Sequence, residues 1–445
     1  MKRKIDDFLA AWAEREDARP LLIRGARRVG KTYTLKKFGE EKFKAEGFAY
    51  CDFQTNLEQL SQVFSGVTDV ERIVSGLSLV LRKDIVPGKT LIALDEIQLC
   101  EKALNSLRFF AESNYRVIAT GSQLGIALKD RTLPFPGGVD QIVLRPMDFE
   151  EFLWAFGEER VADAIREAFT EKKEFLLHEE ALNRHYQYQS VGGMPLVVSS
   201  FAGNNDLEEV RTLQAEIERT YVADIALYAP PESVVHVQAV WASIPKQLVR
   251  ETTRKFKYAD VAKGGRERKY RTPLAWLEAA ELVSLNYQTN DVHAPLVARD
   301  DGAFFKVYLA DTGIMFYCLN ISAESYLDKT RRQMLSPRFR GALAENAVMQ
   351  ALAANGLKPF YWSPGSSQQN ELDFVLQNRN GELIPLEVKS GSNVGSASLN
   401  RYMEKSGAPV AIRASAKNFG FGNGIYSIPI YAVFCLDEQA ILSCL

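Results

Sequence analysis

The 445-residue sequence is poor in cysteine and histidine, with five of the first and four of the second. Cys51, Cys100, Cys318, Cys435 and Cys444 form no C-x-x-C pair. That excludes a zinc framework, which needs closely spaced thiol and imidazole ligands. It also argues against a disulfide scaffold, which a chain of this length does not need. Free thiols in a reducing compartment are the expectation. A net charge is lacking as well: 54 Lys and Arg stand against 56 Asp and Glu, leaving −2. Neither a globally basic nucleic-acid binder nor an acidic solvating chain has that balance. No apolar run reaches the roughly 18 residues of a membrane span. Asp6 and Asp7 follow Met1-Lys2-Arg3-Lys4 after Ile5 alone, so no secretory h-region is expected to open there. A cytoplasmic chain without a membrane partner is expected. Gly and Pro number 29 and 17, well below a low-complexity composition.

What is present is an ordinary globular mix, 46% hydrophobic and 25% charged. The length suits about three domains at roughly 150 residues each. Over residues 1–150, short apolar runs alternate with helical stretches. The runs are Leu21-Leu22-Ile23, Phe48 to Phe53, Leu91 to Leu94, Arg116 to Thr120 and Gln141 to Leu144. Continuous apolar strands separated by helices predict a parallel sheet covered on both faces. From 151 to 231 the strand signals give way to helical composition, and Pro230-Pro231 marks a boundary. Residues 232–335 read as short helices and then a hairpin, with strands near Leu282 to Gln288 and Phe304 to Leu309. Residues 336–445 read as a helix from Arg340 to Asn355 stopped by Gly356, a hairpin turning at Asn380-Gly381, and a helix-strand pair.

Gly25-Ala26-Arg27-Arg28-Val29-Gly30-Lys31-Thr32, with Tyr33 next, fits G-x-x-x-x-G-K-[ST], with an apolar strand before it and a helix after it. The glycines let loop N–H groups face phosphate oxygens, and the helix N-terminus adds a favourable dipole. Lys31 is placed to bridge the β- and γ-phosphates of ATP, and Thr32 to ligate Mg²⁺. About 60 residues on, Leu91-Ile92-Ala93-Leu94-Asp95-Glu96 ends an apolar strand in two carboxylates. Asp95 suits Mg²⁺, and Glu96 suits accepting a proton from water or orienting it. The next strand ends in Thr120-Gly121-Ser122, where either hydroxyl can sense a γ-phosphate. Arg116, Arg131 and Arg145 flank strand ends as candidates for a charge acting on a neighbouring site, and the sequence does not choose among them.

A second charged group lies near the C-terminus. Asp373 opens one strand, and Glu387 and Lys389 share a face of the next by strand period two. Glu345 on the preceding helix is a fourth member. Carboxylates that hold Mg²⁺ beside a lysine can hydrolyse a phosphodiester, with Asp373 and Glu387 as the metal ligands. A solvent-facing hairpin with exposed charges is the other reading. Residues 246–271 carry ten basic residues against Glu251, Asp260 and Glu267, with Phe256, Tyr258 and Tyr270 interleaved. That stretch suits phosphate contacts from a winged helix-turn-helix on duplex DNA, or a solvated or protein-binding face.

Taken together, the chain resembles the prokaryotic AAA-type ATPases whose C-terminal half is a domain of unknown function (DUF4143) with a nuclease-like end. The resemblance rests on Gly25 to Thr32, Leu94 to Gln98, Thr120-Gly121-Ser122, Pro146 to Leu153 and Gly192-Gly193-Met194-Pro195. Trp276-Leu277-Glu278, Tyr308 to Gly313, Glu371 to Phe374 and Glu387-Val388-Lys389 complete it. It implies an α/β architecture: an ASCE P-loop core over 1–150, a helical lid over 151–231, a winged-helix module over 232–335 and a restriction-endonuclease-like, PD-(D/E)xK domain over 336–445. Lys31, Thr32, Asp95 and Glu96 look like the ATP site, and Glu345, Asp373, Glu387 and Lys389 like the nuclease-type site. Two departures stand out. Pro136-Gly137-Gly138-Val139 occupies a loop where relatives often have a basic residue, and Glu371-Leu372 stands where a proline usually precedes the first nuclease carboxylate. The expected function is an ATPase coupling nucleotide state to DNA binding or processing, with Mg²⁺-dependent cutting as its furthest extension. The alternative is an ATP-controlled switch for protein partners, or a homo-oligomer, on an inactive nuclease-like scaffold.

Overall fold

A computed structural model describes residues 1–44, 47–122, 138–250, 254–299, 302, 304–364, 371–391 and 395–443. Arg131, Pro136, Gly137, Glu251 and Cys444 lie outside the described residues.

Two sheets form among the described residues. Strands β1 (Leu21–Arg24), β2 (Phe48–Asp52), β3 (Leu91–Asp95), β4 (Arg116–Gly121) and β5 (Asp140–Val143) make the first. Its order is β2-β3-β4-β1-β5, and every neighbouring pair is parallel. The strands at its centre are strongly apolar: β3 is buried at all five positions, and Leu21, Leu22 and Ile23 of β1 are fully buried. Burial on both faces is what a parallel sheet wrapped by crossover helices requires. One face packs Leu22, Ile92 and Val117 against Ile73, Leu77 and Leu107 of flanking helices. This is the expected five-strand parallel core, and each of the five apolar runs is a strand.

The chain divides into two units by contacts. One comprises Lys2–Arg145 with Ala279–Glu281, and the other holds Pro146–Glu278 and Leu282–Leu445. Within the second unit, helices follow one another from Phe149–Ala155 to Glu267–Ala279. The Pro146 to Leu153 stretch acts locally. Asp148 accepts the Glu151 N–H at 3.0 Å and Glu151 accepts the Asp148 N–H at 3.3 Å, a capping box that starts the helix. Glu150 is held by Arg166 at 2.5 and 2.6 Å.

Strands β6 (Val283–Thr289), β7 (Phe305–Leu309), β8 (Phe360–Trp362), β9 (Leu372–Gln377), β10 (Leu383–Val388), β11 (Ala411–Ser415), β12 (Gly420–Gly422) and β13 (Ile425–Pro429) make the second sheet, in the order β12-β13-β11-β10-β9-β8-β6-β7. The hairpin predicted near residues 282–309 is present as antiparallel β6 and β7. It differs from the predicted wing in what it joins: β6 pairs in parallel with β8, so the hairpin extends the C-terminal sheet. Its side chains give the reason. All five residues of β7 are buried, and an isolated wing would leave one face in water. The Asn380-Gly381 turn joins antiparallel β9 and β10 as expected, with Gly381 at φ 81°.

Gly192-Gly193 and Asp311 form a buried junction. Gly193 N–H donates to Asp311 Oδ2 at 2.6 Å, and Met147 N–H to the Gly193 carbonyl at 2.7 Å. A Cβ on Gly193 would lie 2.0 Å from the Met147 carbonyl oxygen. Cys51, Cys100 and Cys435 are buried free thiols, and Cys318 is half-buried. No helix among the described residues is long and apolar enough to cross a membrane.

Candidate functional site

The loop after β1 turns sharply. A Cβ on Gly25 would fall 2.1 Å from the Leu144 carbonyl oxygen, so no larger residue fits. Arg28 and Gly30 take positive φ, 70° and 94°, and Gly30 caps helix Lys31–Lys42. Ala26 and Val29 are buried, anchoring the loop, while Arg27 and Thr32 are half-buried and Arg28 and Tyr33 are exposed. Lys31 is buried, its ammonium donating to the Gly25 and Ala26 carbonyls at 2.9 and 2.7 Å. The amine therefore lies within the loop. Arg3 buttresses the same loop, donating to the carbonyls of Val29 at 3.2 Å and Arg145 at 2.8 Å. No motif singles Arg3 out, because its basic neighbours give it the look of a charged terminus.

Asp95 ends β3 and is 2% exposed. Tyr50 Oη donates to its Oδ2 at 2.6 Å, and Thr120 Oγ1 donates to its Oδ1. Burial, and then the bond to Asp95, push the Tyr50 hydroxyl far above the usual phenol range, so it stays a donor. Glu96 sits in the left-handed region at φ 55°, and its Oε2 accepts from Gln98 Nε2 at 2.5 Å and Ser122 Oγ at 3.2 Å. The two hydroxyls expected to sense phosphate each meet one of the paired carboxylates, Thr120 at Asp95 and Ser122 at Glu96. Parallel pairing of β3 and β4 places them. Arg116 donates to the Arg15 carbonyl at 3.2 Å, and Arg145 pairs with Glu281 at 3.2 Å. The groups that the loop and the ends of β3 and β4 present suit ATP with Mg²⁺. Loop N–H groups suit the phosphates, and Thr32, Asp95 and Glu96 offer hard oxygens.

The C-terminal charges have a different character. Glu345, on helix Pro337–Ala354, is buried, and Arg254 Nη1 pairs with its Oε1. Its Oε2 accepts from Tyr308 Oη at 3.0 Å and lies 3.6 Å from Lys306 Nζ. Lys306 also lies 3.9 Å from Asp373 Oδ1, and Asp373 Oδ2 accepts the Val388 N–H at 2.9 Å. Burial pushes the Asp373 carboxyl up to about 7, aided by the Glu345 charge. Burial acts on Glu345 too, but Arg254 and Lys306 outweigh it and hold that carboxyl below its usual range. Glu387 pairs with half-exposed Lys389 at 2.9 Å, and its buried Oε2 has no hydrogen-bond partner. Lys255 binds Glu371 at 2.6 Å.

The structure therefore brings Glu345 and Asp373 together, and it does so around two cations of the chain itself. No three acidic, histidine or cysteine side chains form a metal-holding set among the described residues. Arg254 and Lys306 supply countercharge to Glu345 and Asp373, whereas Glu387, expected with Asp373 as a Mg²⁺ ligand, meets Lys389. Lys306 carries a legible signal. In Phe305-Lys306-Val307-Tyr308, period two puts the lysine and tyrosine on one face of an apolar strand. Arg254 and Lys255 belong by position to the basic stretch, yet both turn inward to carboxylates. Lys246, Arg250, Lys257, Lys263, Arg266, Arg268, Lys269 and Arg271 are exposed.

Residues 17–153 match an AAA domain. Residues 183–325 and 340–433 match two domains of unknown function, DUF8612 and DUF4143. No curated protein matches the chain. Solved structures similar to it include the Orc1 protein of Aeropyrum pernix in complex with DNA and Cdc6p from Pyrobaculum aerophilum. The first is 15% identical with a TM-score of 0.28, the second 13% with 0.26, and each match covers 75% of this chain and 93% of the other.

Proposed function

From an AAA domain joined to a DUF4143 domain, we propose a chain that binds and hydrolyses ATP and couples nucleotide state to contact with DNA. One observation carries the ATPase reading. Lys31 is buried within a glycine-turned loop at a helix N-terminus, in the same parallel sheet as a paired, oriented Asp95 and Glu96. Lys31 grips phosphate oxygens as the loop N–H groups do. Thr32 and Asp95 would hold Mg²⁺, and the chemistry that ion would supply there is charge neutralisation at the phosphates. Glu96 takes a proton from water or aligns it, with Gln98 and Ser122 fixing its carboxylate.

Lys31→Ala should abolish ATP turnover, and Glu96→Gln should still bind ATP while turning it over very slowly. Wild-type turnover by purified Lys31→Ala would sink the assignment. DNA contact draws support from the exposed basic residues between Lys246 and Arg271. The alternative is an ATP-controlled switch for protein partners on an inactive nuclease-like scaffold. It draws support from the Arg254 and Lys306 pairing with Glu345 and Asp373. Duplex DNA that stimulates ATP turnover with a salt-sensitive affinity favours the first reading, and the absence of such stimulation favours the second.

A further inference from the structure

A cavity of about 390 Å³ lies in the second unit, and none of the charged residues of the two groups described above lines it. Its floor is set by topology. Strands β10, β11 and β13 are adjacent and parallel. Ser390 and Gly391 follow the end of β10, Ala416 follows β11 and Ile430 follows β13, and all four line the cavity. The carboxyl ends of parallel strands are where open sheets leave ligand crevices.

The helical side of the lining is cationic. Lys329, Arg332 and Arg340 belong to it, and Glu179 is the one acidic residue among the lining groups. Arg332 is held rigidly: its guanidinium lies 3.8 Å from the Tyr186 ring centre, and its Nη1 donates to the Tyr326 and Leu327 carbonyls at 2.8 and 3.2 Å. Arg340 differs. Its Nε is buried and makes no hydrogen bond. A buried guanidinium N–H without an acceptor is costly, and such groups are rare unless something else meets them. Planar guanidinium forks match phosphate and carboxylate oxygens bidentately, three cations against one lining carboxylate suit the more highly charged phosphate, and the volume suits a ligand up to a nucleotide.

We propose that this cavity binds a phosphate-bearing small molecule through Lys329, Arg332 and Arg340. The inference does not depend on the ATPase reading, since the cavity shares no residue with the P-loop. The test uses the full chain carrying Lys31→Ala, which weakens phosphate contacts at the loop. Calorimetric titrations with inorganic phosphate, pyrophosphate and adenosine monophosphate should each be compared with the same chain carrying Lys329→Gln or Arg340→Met. Saturable binding that weakens at least tenfold in both variants is expected. Tighter binding of adenosine monophosphate than of phosphate identifies a nucleotide ligand, and equal or tighter binding of phosphate or pyrophosphate identifies the free anion. Lys329 is exposed, so its variant reports on binding even if Arg340→Met fails to fold. No binding of any of the three probes, or binding that Lys329→Gln leaves unchanged, overturns the proposal.

Discussion

Tyr50 shows how much of the candidate ATP site lies in residues outside its motifs. Its hydroxyl fixes Asp95 from the neighbouring strand, and Lys36 lies 4.5 Å from its ring centre. Tyr50→Phe removes one donor to a buried carboxylate. Turnover should fall by about tenfold, the scale of one charge-assisted hydrogen bond, and half-maximal rate should need more Mg²⁺. Steady-state rates across a Mg²⁺ series check this, and an unchanged Mg²⁺ requirement would count against a positioning role. Asp311 makes a different residue-scale prediction. Burial pushes its carboxyl up to about 6 against hydrogen bonds from Gly193 and Ile314 that pull it down. The folded state therefore holds this proton more tightly than the unfolded chain does. That contribution is present at acid pH and is lost as pH rises from about 4 through 6. A tenfold change in proton affinity is worth about 1.4 kcal/mol, so wild type should lose about 2 kcal/mol relative to Asp311→Asn between about pH 4 and about pH 7. Denaturant midpoints measured across that range test the sign.

At the level of elements, β7 and helix Pro337–Ala354 meet through Lys306, Tyr308 and Glu345. Breaking a buried ion pair by removing one partner costs about 3–5 kcal/mol, whereas replacing both partners with apolar groups is often close to neutral. Arg254→Met should therefore destabilise by that amount, and adding Glu345→Leu should recover much of it. Thermal denaturation of the single and double variants decides whether the group acts as an internal ion cluster. Strands β1, β3 and β4 of the first sheet were legible because each carries an uninterrupted apolar run, and Gly30-Lys31-Thr32 marks the turn from β1 into its helix, whereas β5 has only Ile142-Val143 to show. The hairpin at β6 and β7 was legible as a hairpin, but its partner β8 was not. Tyr287 pairs with Phe360 across a long stretch of chain, and no local pattern encodes that. The direction of side chains was equally hidden. A count of basic residues treats Arg254 and Lys269 alike, although one faces Glu345 and the other faces water.

For the whole molecule, a total charge of −2 conceals an uneven distribution. Exposed basic residues recur from Lys246 to Arg271, with Arg250 and Arg271 facing Asp260 and Glu267 at 3.8 and 3.7 Å. Exposed pairs of this kind contribute little and are screened by salt. If these residues grip DNA phosphates, replacing Arg266, Arg268 and Lys269 by Gln should weaken binding at all sequences. The slope of log affinity against log salt should fall by about one for each phosphate no longer neutralised. Fluorescence anisotropy with labelled duplexes over a salt series measures it, and an unchanged slope would favour the protein-partner reading. The two sheets also differ in when a growing chain can build them. Strands β1 to β5 are complete by Val143, so the P-loop sheet can pair while later residues are still being made. The second sheet draws its members from Val283 through Pro429, and its hairpin β6–β7 waits for β8 to arrive. During synthesis the buried β7 is thus the segment most in need of shielding, and the slow, non-local pairing of its hairpin partner β6 with β8 is the step at which misassembly competes with folding.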